Sequence, residues 1–385
     1  MHKWTKQEIR IHVRAVIVLL FAMVAVAMLS QVSQQNWSGK VTAFPTKTEE
    51  AINNYARQLL QEMTLAQKVG QMFYAADGVD SETAGEYCLG GVLLQTEQLD
   101  HFSKTETAAV LRGYEEAGLM PMFVGVNEEG GEINTVSVLP QIRQKAFLSP
   151  RELLTTGGMK LVDSDTRDKS DLLRELGVNM NFAPVCDVAG DENALMYPRT
   201  AQGDTDDVCR YVDTVVAAML DRRMIPVLKY FPGYGDLKGK EHTDILTDDR
   251  SLEELRETAF MPFVHGIDAG AQIVMMGNVI VTAVDEKLPA GLSSAAYKLL
   301  RNELDFDGII VSSDLNALGM GRYGGSGELA AMAVGAGCDL VLTEDWRTGL
   351  EAVVQAVREG EISEERIDES VLRILKLKIS FGMMG

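Results

Sequence analysis

Short apolar runs recur along this chain, separated by longer stretches with helical spacing. The runs are GGVLL (90–94), MPMFVGV (120–126), VNMNFAPV (178–185), MIPVLKYF (224–231), QIVMMGNVIV (272–281), GIIVSS (308–313) and DLVLT (339–343). Amphipathic stretches lie between them, among them 206–223, 251–269 and 293–304. Runs that are continuously apolar, rather than alternating, mean strands buried on both faces, as in a parallel sheet. Seven such runs and a weaker eighth, at intervals of roughly 30–45 residues, predict an α/β fold of the (β/α)8 TIM-barrel type in a single domain. A doubly wound open sheet is the alternative. Neither G-x-G-x-x-G nor a Walker loop follows any run, which counts against its nucleotide-binding form. In a barrel, the polar residues just after each strand converge on one mouth, and chemistry is expected there.

Order is expected to begin near Glu49. Residues 50–72 carry Ile52, Leu59, Leu60 and Met63 at helical spacing, and Thr64 is placed to cap a following turn. Before that point the pattern changes. Lys3, Lys6, Arg10 and Arg14 precede fifteen apolar residues, Ala15 to Leu29. A membrane span needs about 20 residues, so the run fits a signal-peptide core, with Ala25-Val26-Ala27 as a small-x-small cleavage site. Counting Ile11 and Val13 lengthens it towards an uncleaved anchor. Either form directs the body out of the cytoplasm, secreted or held to the membrane by this segment alone. The expected division is therefore 1–30 leader or anchor, 31–49 polar linker and 50–385 barrel.

Charge narrows the partners. The formal net charge is −20, and since residues 1–30 contribute +3, the remainder carries −23. That field repels nucleic acid and anionic lipid, and 6% aromatic residues supply few stacking platforms for bases. Cys88, Cys186, Cys209 and Cys338 are scattered, with no C-x-x-C spacing. They form neither a metal cluster nor a disulfide scaffold. No metal or organic cofactor is expected.

The most informative segment is Lys229-Tyr230-Phe231-Pro232-Gly233-Tyr234-Gly235-Asp236, at the end of the strand-like run MIPVL. A lysine, a proline and two glycines crowded at a strand end suit a backbone that turns sharply over a ligand. The segment resembles K-H-F-P-G-H-G-D of the family 3 glycoside hydrolases, specifically the single-barrel β-N-acetylhexosaminidases. Other segments agree in order: MTLAQKVGQM (63–72), GVNEEGGEIN (125–134), ELGVNMNFAPVCDV (175–188), RTAQGDTDDV (199–208), LPAGLSS (288–294) and LLRNELDFDGIIVSSDLNALGM (299–320). The resemblance covers residues 50 to 383.

It implies a saccharide ligand of the N-acetylglucosamine type, or a peptidoglycan fragment. It also implies substrate-binding roles for Lys229, Arg199, Asn127, Glu129, Tyr230, Tyr234 and Asn278. Several of these depart from the family pattern. Asn127 replaces Asp and Glu132 replaces Arg in D-Q-E-G-G-R; Tyr230 and Tyr234 replace histidines, and Asn278 stands for a histidine in M-x-x-H-V. A retaining glycosidase needs a carboxylate nucleophile about 5 Å from its proton donor. The resemblance places Ser313 in the nucleophile slot and Asp314 one residue later. Adjacent strand residues face opposite ways, so Asp314 serves as nucleophile only if the strand end re-aims it. His242 matches the acid/base, with Lys240 in the slot of the Asp that orients it. A cation there depresses the imidazole pKa. Three readings follow: a glycosidase using Asp314 and His242; a silent barrel that binds a saccharide or a protein partner; and a hydrolase using Ser313, which lacks a G-x-S-x-G motif.

Overall fold

The computed structural model describes residues 48–76, 79–118, 120–240 and 243–384. The expected leader, residues 31–47 of the linker, and His242 lie outside the described residues. Those from Glu49 onward belong to one compact unit. Among the described residues no helix is long and apolar enough to cross a membrane.

The strands are β1 (Phe73–Ala75), β2 (Gly91–Leu93), β3 (Phe123–Val126), β4 (Met180–Asn181), β5 (Leu228–Phe231), β6 (Ile273–Met276), β7 (Ile309–Val311) and β8 (Val341–Thr343). All their pairings are parallel. β8 pairs with β1, β1 with β2, β2 with β3 and β3 with β4. β4 pairs with Ile225–Pro226, which leads straight into β5, and β5–β6 and β6–β7 continue the order. Isolated bridges Val185–Lys229 and Val311–Leu340 link the two sheets. The pairing thus passes through eight positions and returns to its start, the connectivity of a (β/α)8 barrel. The eighth, weak strand is β1.

Helices follow the predicted stretches where side-chain pattern and caps agree. In Thr205–Asp221 the residues Val208, Tyr211, Val212, Val215, Val216 and Met219 are buried, a stripe at helical spacing. Thr64 accepts the Gln67 N–H and caps Leu65–Gln71. Pro150–Leu176 begins with a reciprocal cap between Ser149 and Glu152, with Pro150 in the first turn, and stops at Gly177 (φ 97). The predicted 251–269 helix is two helices, Leu252–Glu257 and Met261–Asp268, because Pro262 has no N–H to continue the first. The run 272–281 also divides. β6 ends at Met276, and Val279–Val281 pairs instead with Leu246–Asp248. Gly277 and Asn278 are left at the mouth.

All four cysteines are free and buried. At the β7–β8 seam, buried Asp339 accepts the Ile310 N–H at 2.9 Å and the Ser370 hydroxyl at 2.6 Å. Arg301, Arg366 and Arg373 pair with the same carboxylate. Burial opposes its ionisation, but the three guanidiniums outweigh it and hold the pKa below the usual value.

Candidate functional site

The segments that follow the strands enclose a cavity of about 210 Å³. Its lining includes Asn127, Arg199, Tyr230, Tyr234, Asn278, Ser313 and Asp314. Lys229 and Glu129 lie behind that lining, 0% and 4% exposed.

Glu129 is the centre of one wall. Arg199 grips it twice, from Nε at 2.9 Å and from Nη2 at 2.7 Å, and Lys229 Nζ lies 2.5 Å from its Oε1. Lys229 also donates to Asn127 Oδ1 at 2.9 Å, and Arg199 donates to the Tyr230 hydroxyl at 2.8 Å. Burial raises the Glu129 pKa, but the charges of Lys229 and Arg199 prevail and bring it down to about 2. The carboxylate is therefore ionised at neutral pH, and Arg199 and Tyr230 carry the assembly to the face of the cavity.

The backbone beneath Glu129 is fixed as firmly. Asn181 accepts the Glu128 N–H and donates to the Glu128 carbonyl, both at 3.0 Å, while Lys169 donates to the Glu129 carbonyl at 2.9 Å. Gly130 has φ +106, and a Cβ there would come within 2.0 Å of the Leu148 carbonyl oxygen. Only glycine fits that turn.

The loop after β5 brings Tyr230 and Tyr234 to the cavity, their rings edge to face at 6.0 Å. The Tyr234 hydroxyl accepts the Asn278 N–H at 2.9 Å. The Ser313 hydroxyl donates to the Asn278 side-chain carbonyl, and Asn278 Nδ2 donates to the Asp314 main-chain carbonyl at 3.1 Å. β7 ends at Val311, so Ser313 and Asp314 lie past the strand, and the expectation that pleating sends them to opposite faces does not apply. Both line the cavity. The Asp314 carboxylate accepts the Asn316 N–H at 2.9 Å.

Seven residues singled out in the sequence thus meet: Asn127, Glu129, Arg199, Lys229, Tyr230, Tyr234 and Asn278, with Asp314 beside them. Lys240 is exposed, and its N–H donates to Asp244 Oδ2 at 3.0 Å. Asp244, which the sequence offers as a group to orient the His242 ring, lines the cavity, and so does Glu344, which sequence reasoning passed over. A charged residue at the end of the apolar run DLVLT was the available signal for Glu344. Among the described residues no cluster of His, Cys, Asp or Glu has the arrangement of a metal site.

A buried Arg–Glu–Lys assembly thus backs a small cavity at the barrel mouth, the place where a (β/α)8 enzyme carries its chemistry. The chain matches the family "Glycosyl hydrolase family 3 N terminal domain" over residues 64–377, and it belongs to that family. It is 30% identical over 314 residues to the beta-hexosaminidase LpqI of Mycobacterium tuberculosis, covering 78% of this chain and 79% of that one. A beta-hexosaminidase of Tolumonas auensis is 29% identical over 290 residues, covering 73% of this chain and 83% of the other. Among solved structures, a family 3 beta-N-acetylglucosaminidase from Paenibacillus superposes with a TM-score of 0.78 at 31% identity. That match covers 84% of this chain and 64% of the longer Paenibacillus chain. The structure of M. tuberculosis LpqI superposes with a TM-score of 0.74 at 27% identity, covering 83% of this chain and 95% of that one.

Proposed function

We propose that this protein binds a terminal N-acetylglucosamine-type sugar in the mouth cavity, and that its hydrolytic turnover is strongly reduced relative to the hexosaminidases it resembles. The observation that carries the reading is Ser313, a buried hydroxyl bonded to Asn278, standing where the resemblance places the nucleophile. An oxocarbenium-like transition state needs a negative charge close beneath the anomeric carbon, and a neutral hydroxyl held by an amide does not provide one. Arg199 and Tyr230, by contrast, face the cavity with groups able to hydrogen-bond ring hydroxyls, held from behind by Glu129 and Lys229.

A second reading has its own support. Asp314 lines the same cavity, so a double displacement with Asp314 as nucleophile and His242 as acid/base is the alternative. Hydrolysis of a chromogenic N-acetyl-β-glucosaminide decides between them. The first reading expects turnover near background in the native protein, with N-acetylglucosamine still bound in calorimetry. Brisk turnover abolished by Asp314→Asn or His242→Ala establishes the second. The natural ligand on this proposal is a cell-wall glycan met outside the cytoplasm, after export by the N-terminal segment. Calorimetry with peptidoglycan fragments against chitin fragments, and fractionation of expressing cells, test those two points.

A further inference from the structure

A second depression opens beside the sugar cavity, a groove of about 600 Å³. The two are continuous, since Ala76, Gln95, Asp314, Ala317 and Glu344 line both. Beyond that junction the groove has walls of its own. Glu97 and Gln98 come from the segment after β2, and Asn316 and Leu318 from the segment after β7. A ligand whose first ring fills the cavity therefore reaches the groove with its next unit, past Asp314 and Glu344.

Three features give the groove its chemistry. The first is a pair of half-buried amides whose oxygens are already engaged. Gln98 Oε1 accepts the Gln95 N–H at 2.7 Å, and Asn316 Oδ1 accepts the Thr343 hydroxyl at 2.8 Å and the Glu344 N–H at 2.7 Å. What each amide can offer a ligand is thus its NH2 donor, suited to a sugar oxygen. The second is Leu318, 80% exposed, where the other exposed large apolar side chains among the described residues reach 50% at most. The C–H face of a pyranose ring laid against it would take that apolar surface out of water. The third is charge. Glu97, Asp314 and Glu344 line the groove, and among the described residues no lysine or arginine does. The cavity differs in this respect, for its lining includes Arg199, which is bound twice to Glu129. In a chain of formal net charge −20, such a groove favours a cation. An acetylated amine is neutral and gains nothing from three carboxylates; a free amine, as an ammonium, does.

We propose that this groove is a second sugar subsite and that it selects a unit carrying a free amine, a glucosamine whose nitrogen bears no acetyl group, linked to the N-acetylglucosamine-type unit in the cavity. The proposal rests on the reading that the cavity takes a sugar. The second ring lies against Leu318, its oxygens accept from Gln98 and Asn316, and its ammonium stands among Glu97, Asp314 and Glu344. The preferred ligand is then a partly deacetylated glycan.

Calorimetry on the full chain tests this with three probes: N-acetylglucosamine, its β-1,4-linked dimer, and the same dimer without the acetyl group on the reducing-end unit. At about pH 6 the amine of the third probe is protonated. In low salt that probe is expected to bind roughly tenfold tighter than the acetylated dimer, and the gap should shrink to about twofold near 0.5 M salt as screening sets in. Glu97 is exposed and lines the groove but not the cavity. Glu97→Lys is therefore expected to erase the gap and to leave N-acetylglucosamine bound as in the native protein. Leu318→Ala should weaken both dimers about threefold and spare the monomer. Equal native affinity for the two dimers overturns the proposal, and so does a gap that survives high salt or the Glu97→Lys change. Should that variant fail to fold, the salt dependence of the native protein decides. A native protein that binds none of the three probes overturns the sugar reading, and the subsite falls with it; a bound monomer with indistinguishable dimers overturns the subsite alone.

Discussion

The wall built on Glu129 is held by charge: two cations share one buried carboxylate, and the backbone below is fastened by Asn181 and Lys169. The wall of Asn278, Ser313 and Asp314 is held by neutral hydrogen bonds and one short turn. The difference sets what each can lose. Removing one member of the first strands a charge in a dry interior, so substitutions there threaten the fold. Exchanging Asn278 or Ser313 in the second disturbs only neutral pairings, so its chemistry can drift while the barrel stands. The ionic wall is thus coupled to stability more tightly than the wall of Asn278, Ser313 and Asp314.

The harshest way to break the comparison is Glu129→Ala, which leaves Lys229 and Arg199 without their anion. It should lower unfolding free energy by about 3–5 kcal/mol, read by urea denaturation. The pH dependence follows from the sign of the shift. The folded pKa, about 2, lies below the ordinary carboxylate value of 4.5, so the stabilisation is complete above pH 4.5 and is lost as pH falls through about 2. The gap between native protein and Glu129→Gln should therefore narrow only in strong acid.

Ser313→Asp sharpens the other side. It restores a carboxylate at a site tolerant of change and should raise hydrolysis of the chromogenic glucosaminide at least tenfold, about 1.4 kcal/mol of barrier. An unchanged rate would mean that this wall has lost more than its nucleophile. Tyr234→Phe removes the acceptor of the Asn278 N–H and should cost about 1 kcal/mol, measured in melting and in sugar affinity. Ser313→Ala should cost less than about 1 kcal/mol, since one neutral bond is lost and Asn278 keeps its contacts with Tyr234 and Asp314. A loss for Ser313→Ala as large as that for Glu129→Ala would erase the distinction between the walls.

Much of the barrel was legible because both faces of its strands are buried, which writes continuous apolar runs such as GIIVSS and DLVLT. β1 was faint because Phe73–Ala75 follows directly on the helix Leu65–Gln71, so no polar stretch sets it off as a separate run. Lys229, Tyr230 and Tyr234 were legible through the glycine- and proline-rich turn that carries them. The pairing of Glu129 with Arg199, 70 positions apart, is a tertiary fact that the resemblance could suggest but no local pattern encodes. The sequence left open whether the strand end re-aims Asp314, since the exact strand end depends on partner strands rather than on the run GIIVSS.

The seam at Asp339 bears on how such a chain is made. Ser370, Arg366 and Arg373, which fasten that carboxylate, belong to Glu364–Ser380, the last helix. β1, among the first strands to emerge from a ribosome, waits for its partner at Val341. Closure of the ring is thus deferred until Val341–Thr343 and the helix Glu364–Ser380 have both been made, and until then the growing chain presents an open parallel edge that a holding chaperone is suited to cover.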